Sequence, residues 1–212
     1  NFNSFDLTTV ASTGLAFNAS ANGFDTASPG AMTLIATNTI SSGVSSSSFT
    51  SGIDSTYDTY MFKYINCHPA SGNVNFTVNF RDGGSSFDAT KTSTTFRAYH
   101  SENGTSAGLD YIPSVDLANG TGYQILDSDG TISNNDDASI TGTLFLFSPA
   151  NTTFVKHFIS TCNNMIHGST SQTSNNYVAG YANVTAAIDG VDFKFSSGNI
   201  DSGVIKMYGI TK

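Results

Sequence analysis

The chain has 212 residues, a length that all-β sandwiches and barrels occupy as one domain, and only 11% of them are charged. Acidic side chains outnumber basic ones by 16 to 8, for a formal net charge of −8; such a surface repels phosphate, which makes nucleic acid and anionic membranes poor partners. Polarity comes instead from Ser, Thr, Asn and Gly, which favour turns over helix interiors, and no run reaches the roughly twenty apolar residues that a spanning helix needs.

The start, NFNSFDLTTV, has neither a basic n-region nor an apolar h-region and does not read as a signal peptide. Small and polar residues dominate the first fifty positions, so the expected organisation is a leading segment over 1–50 and a sandwich over 51–212. A strand is predicted near Ala31 to Asn38, and SSGVSSSSFTSGIDSTYD, Ser41 to Asp58, is nearly low in complexity. Two readings compete there: a flexible loop crossing the sandwich, or an arm that orders only against a neighbouring subunit.

Beyond it the dominant signal is strict alternation. A strand is predicted over Thr59 to Cys67, and NVNFTVNFRDGG follows with Val74, Phe76, Val78 and Phe80 on one side and Asn75, Thr77, Asn79 and Arg81 on the other. The same reading gives strands near Thr94 to Ser101, Tyr123 to Leu126, Ser139 to Phe147, Thr153 to Thr161, Tyr177 to Val184, Val191 to Phe195 and Val204 to Ile210. Turn clusters such as NCHPASGN, RDGGSSFD, FSPANTT and SSGNIDSG separate them, and the last of these reads as the turn of a C-terminal hairpin. No segment shows sustained helical periodicity with caps. The fold class expected is all-β, two packed antiparallel sheets, with a jelly roll as the topology.

Four groups of residues invite chemistry. GTSAG, Gly104 to Gly108, matches Gly-X-Ser-X-Gly, but a nucleophile elbow needs a helix after the serine and LDYIPS follows Ser106 instead. His157, Cys162 and His167 are spaced by five and, joined by Cys67 or His68, would supply zinc ligands, although the short paired-ligand spacing of structural zinc sites is missing. DSDG, Asp127 to Gly130, with Asn134, Asn135, Asp136 and Asp137, gathers oxygens in one hairpin without the EF-hand order or its terminal Glu. With Glu102 the single glutamate, a glycosidase pair would have to be aspartates. Satisfied structural residues and solvated turns account for each group more simply, so neither catalytic residues, metal ligands nor a cofactor are assigned. Cys67 and Cys162 are expected to be buried free thiols rather than a bridge. Six Asn-X-Ser/Thr sequons, at Asn18, Asn75, Asn103, Asn119, Asn151 and Asn183, arise by chance in a chain this rich in Asn, Ser and Thr. Tyr99, Tyr111, Tyr123, Tyr177 and Tyr181 are candidates for stacking on sugar rings or on another subunit.

Four blocks, FTSGIDSTYDTYMFKYIN, TTFVKHFIS, YVAGYANVTAAIDGVDFKFSSGNI and GNIDSGVIKMYGI, lie in this order between Phe49 and Ile210. Together they resemble a family of small virion proteins of marine tailed bacteriophages. The resemblance implies a non-enzymatic structural protein on the outer surface of the virion and transfers no catalytic residue. Capsid decoration or cementing, against the major capsid protein or another virion protein, is the first expectation. A tail-fibre protein that recognises a host surface glycan or protein is the second, and a carbohydrate-binding module or hydrolase the third. By analogy with such proteins a homotrimer is expected, with the N-terminal arm and the C-terminal hairpin as contact elements.

Overall fold

The computed structural model describes residues 14–17, 24–27, 31–128, 132–166 and 171–210. Its first two strands, β1 (Gly14–Phe17) and β2 (Phe24–Ala27), pair with each other. The remaining twelve are β3 (Met32–Ile40), β4 (Ser47–Phe49), β5 (Thr59–Pro69), β6 (Phe76–Arg81), β7 (Lys91–Ser101), β8 (Ala107–Tyr111), β9 (Gln124–Ile125), β10 (Ile140–Phe147), β11 (Lys156–Ile166), β12 (Gln172–Ala182), β13 (Gly190–Phe195) and β14 (Ile200–Ile210). They form an eight-stranded sheet, order β3-β14-β5-β10-β11-β12-β7-β8, and a four-stranded sheet, order β4-β13-β6-β9. Every pairing described is antiparallel.

The chain is therefore an all-β sandwich, as the alternation predicts. The eight-on-four division does not establish the jelly-roll connectivity. Two expectations are corrected. First, the sandwich begins before residue 50: β3 pairs with β14, β4 pairs with β13, and Phe49 and Ile53 are buried in the chain's own core. From residue 31 onward the leading segment finds its partner inside the subunit, because the sparse apolar residues of the Ser-rich stretch fall where the small sheet needs them; positions before 31 other than β1 and β2 lie outside the described residues. Second, the C-terminal strand-turn-strand is not a hairpin. β13 belongs to the small sheet and β14 to the large one, so the turn over 196–199 is a corner between layers and β14 is an interior strand held by β3 and β5.

Aromatic side chains bind the two layers. Phe62 and Tyr64 of β5 meet Phe193 of β13 at 5.7 and 6.1 Å between ring centroids, and Phe76 of β6 stacks on Phe193 at 5.8 Å. Phe49 closes one end against Phe62 at 5.4 Å, and Phe80 meets Phe158 at 5.2 Å further along. All of these rings are buried, and each pair adds about 0.5–1.5 kcal/mol to the burial itself. The close packing explains two glycines. A Cβ at Gly209 would lie 2.2 Å from the Tyr57 ring, and Gly203, at φ +138°, sits in the β-bulge where a Cβ would lie 2.8 Å from the Cα of Cys67.

Four strands cannot cover the inner surface of eight, and under β11, β12 and β7 the segment between β8 and β10 takes over. There many of the inward side chains are polar, and several are bonded to it or to each other. Arg97 Nη1 donates to Ser128 Oγ at 3.2 Å, Cys162 Sγ to the Leu126 carbonyl at 3.1 Å, and Asn176 Nδ2 to Asn164 Oδ1 at 2.7 Å. At the opposite end of β7 the buried Lys91 donates to Asn79 Oδ1 and the Ala89 carbonyl at 2.5 and 2.6 Å, tying β7 to β6 and to the loop between them. Cys67 and Cys162 are buried free thiols, and burial pushes both up to about 12.

Truncating Phe193 to Ala removes the ring that touches Phe62, Tyr64 and Phe76, and is expected to lower the unfolding free energy by about 3–5 kcal/mol in denaturant titration. Burial pulls Lys91 down from 10.5 to about 8. Between those values the unfolded chain holds the proton that the folded chain has lost, so this group's contribution to stability rises with pH across that window and its full cost is present below about 8. Urea midpoints of wild type and Lys91→Met, compared below pH 8 and near pH 10, are expected to show wild type gaining on the variant as pH rises.

Candidate functional site

The sequence-predicted constellations are taken apart by the fold. Ser106 sits between the β7–β8 turn and β8, where its N–H donates to Ser101 Oγ at 2.9 Å; a strand, not a helix, follows, so the elbow geometry is absent. His157 and Cys162 lie on β11 with an odd spacing, which on a strand points them to opposite faces: His157 is exposed and Cys162 buried. His167 lies outside the described residues. His68 is held by Asp201 Oδ2 at 3.3 Å and the Asn135 carbonyl at 3.1 Å, while His100 is exposed on β7. Of the acidic hairpin, Asp127 is buried and accepts a bond from Asn75 Nδ2 at 2.9 Å, Asp136 and Asp137 are exposed, and Asp129 and Gly130 lie outside the described residues. Among the described residues no three His, Cys, Asp or Glu side chains converge as metal ligands, and no helix is long and apolar enough to cross a membrane.

The unusual surface is the outer face of the large sheet. An antiparallel sheet with one face on a core normally turns polar residues to solvent. Here the cross-strand register lines up Leu34, Tyr208, Met61, Phe145, Ile159 and Ala179 in one row over β3, β14, β5, β10, β11 and β12. In the next row Tyr177, Phe96 and Tyr111 stand side by side on β12, β7 and β8. Phe96 and Tyr177 are stacked at 4.8 Å with their planes 7° apart. Leu34 is 51% exposed, Ile159 47%, Phe96 45% and Tyr111 62%. Among the described residues nothing covers this broad apolar strip, and contiguous strips of this kind mark interaction surfaces.

The strip is dented in its middle. Ala179 and Gly180 give β12 little side-chain bulk, and between Ile159, Thr94, His157 and Tyr181 a depression of about 440 Å³ opens. The rings of His157 and Tyr181 meet edge to face at 6.1 Å along its rim. A second depression, of about 550 Å³, shares His157 and is bordered by Phe147, Asn151 and Phe154, the last 69% exposed. Asn151 Oδ1 caps the turn beneath it by accepting from the Thr153 and Phe154 N–H groups, both at 2.7 Å. The combined hollow has apolar walls with hydroxyl, amide and imidazole edges, which can receive a protruding side chain or a small neutral ring. Of the candidate tyrosines, Tyr111, Tyr177 and Tyr181 belong to this face. Tyr99 instead lies under the Arg97 guanidinium at 4.8 Å, and Tyr123 is held by Asp192 and Lys194. The strip as a whole is not apparent from any one segment, because its members are brought into line only by the register of strands remote in sequence.

No family model, curated protein or solved structure matches this chain.

Because these outer residues contribute little to the core, replacing Phe154 or Leu109, 69% and 72% exposed, with Ser is expected to change unfolding free energy by no more than about 0.5 kcal/mol. Thermal unfolding of both variants checks this, against the large loss expected for Phe193→Ala.

Proposed function

We propose that the protein is a non-enzymatic structural protein of the outer surface of a tailed-phage virion, and that it decorates or cements the capsid by packing the outer face of its large sheet on a neighbouring subunit. The apolar strip across that face carries the reading: the described residues of a single subunit leave it open to water, and another chain would bury it. Three further features support it. The surface elsewhere is polar and carries few charges, the net charge disfavours DNA, and the four sequence blocks resemble virion proteins. The partner in this reading is the major capsid protein or another virion protein, and the assembly unit is a homotrimer.

A second reading, an adsorption protein of the tail that binds a host surface glycan or protein, is favoured by the hollow around His157. Its aromatic rim and its Thr and Ser hydroxyls suit stacking and hydrogen bonding to a sugar.

Cryo-EM of the intact particle separates the two. Density for this chain on the icosahedral lattice is the expected result, whereas density confined to the tail would replace decoration with adsorption. On the lattice, Ile159→Glu is expected to weaken attachment by about 2 kcal/mol, roughly thirtyfold in Kd, by placing a charge in the buried strip. Unchanged attachment in a co-sedimentation assay would remove this face from the interface.

A further inference from the structure

Toward β3 the row that carries Tyr177, Phe96 and Tyr111 changes chemistry. Thr37 of β3 is opposite Lys206 of β14, Lys206 is opposite Lys63 of β5, and Lys63 is opposite Thr143 of β10. Two ammonium groups thus stand on directly paired positions, an arrangement that repels in an antiparallel sheet. Apolar rows close in on both sides: Tyr208 and Met61 on one, Val204 and Ile65 on the other.

This placement stands out in a chain that has 8 basic side chains against 16 acidic ones. The other described cations are all provided for within the subunit. Lys91 and Lys156 donate to carbonyls, Arg81 pairs with Asp189 at 2.7 Å, Arg97 with Asp110 at 3.5 Å, and Lys194 lies over the Tyr123 ring. Among the described residues Lys63 and Lys206 have no such partner. Neither the lysine row nor the adjoining row from Leu34 to Ala179 contains a carboxylate.

We propose that Lys63 and Lys206 receive carboxylates of the neighbouring virion subunit, so that the face is matched to a partner that is acidic within an apolar surround. The inference rests on the decoration reading and names the chemistry of its partner. A second copy of this chain applied through the same face would bring two more lysines and no carboxylate from these rows, so the occupant committed to is a different chain. Exposed ion pairs contribute little, whereas ion pairs closed in by apolar neighbours and shielded from water are stronger and select against wrong partners.

The test uses virions stripped of this protein and the purified chain, with rebinding measured by co-sedimentation from about 0.05 to about 0.5 M salt. Wild type is expected to rebind and to weaken at least about tenfold across that range. Lys63→Glu/Lys206→Glu is expected to lose at least about a hundredfold, and Lys63→Arg/Lys206→Arg to stay within about threefold of wild type. Both doubles are expected to unfold at the wild-type temperature, since these side chains point away from the core. Rebinding by the Glu double at wild-type strength overturns the carboxylate contact and leaves decoration standing. Failure of wild type to rebind overturns both. Salt-sensitive self-association of the purified chain that the Glu double abolishes would assign the face to a second copy and overturn the proposed partner.

Discussion

The aromatic layer of Phe62, Tyr64, Phe76 and Phe193 is the contact on which the rest of this molecule depends, because it fastens a small sheet to one half of a large one. Everything else follows from that unequal match. Where the small sheet lies, the inner face is a dry core of rings and aliphatic side chains. Where it does not, much of the inner face of β7, β11 and β12 is polar, covered by the segment between β8 and β10 and tied together by hydrogen bonds among Arg97, Ser128, Asn164 and Asn176. A buried polar network costs little when its members are paired, and it fixes the position of the covering segment more closely than apolar contact would.

The outer face of the large sheet has no such covering. Eight strands present side chains on that side, and no layer among the described residues buries them. A protein of one domain could have made the face polar, as the outward positions of β11 partly are at Thr161 and Asn163. Instead aliphatic and aromatic residues recur at the same level in successive strands. Retaining that much apolar surface against water is unfavourable for the isolated subunit, about 25 cal/mol for each Å² left exposed, and is compensated only when another surface lies on it.

Much of this architecture is legible in the sequence, and the remainder fails for identifiable reasons. Alternation located β6 and β13 closely, because one face of each is apolar and the other is not, and β5 and β10 closely although both of their faces carry apolar residues. It missed β4, whose three residues sit in a Ser-rich run, and β8, whose pattern is exposed and intermediate by turns with no buried face to read. It placed the start of β11 too early, since Asn151 holds Thr153 and Phe154 in a turn. The hairpin expected at the C-terminus is a corner because SSGNIDSG says that the chain turns and not which sheet the next strand joins. The lysine row was invisible for a related reason: Lys63, Lys206 and Thr143 are distant in sequence and become neighbours only through register.

In the proposed assembly the two rows on the open face divide the work of recognition between them. Charge acts over a distance of about a Debye length, so a lysine pair on an otherwise acidic subunit orients an approaching anionic surface before contact and repels other copies presented through the same face. Apolar burial acts only at contact, and differences between related complexes lie mostly in how slowly they separate. In the proposed assembly, a strip with lysines on one flank and a hollow near its middle would fix both orientation and register: an anionic partner would be steered by Lys63 and Lys206, and a protruding group would settle beside His157. On the virion lattice of that proposal, where one contact would be repeated many times, orientation errors would be costly, and a face that reads charge and shape at two separate places would limit them.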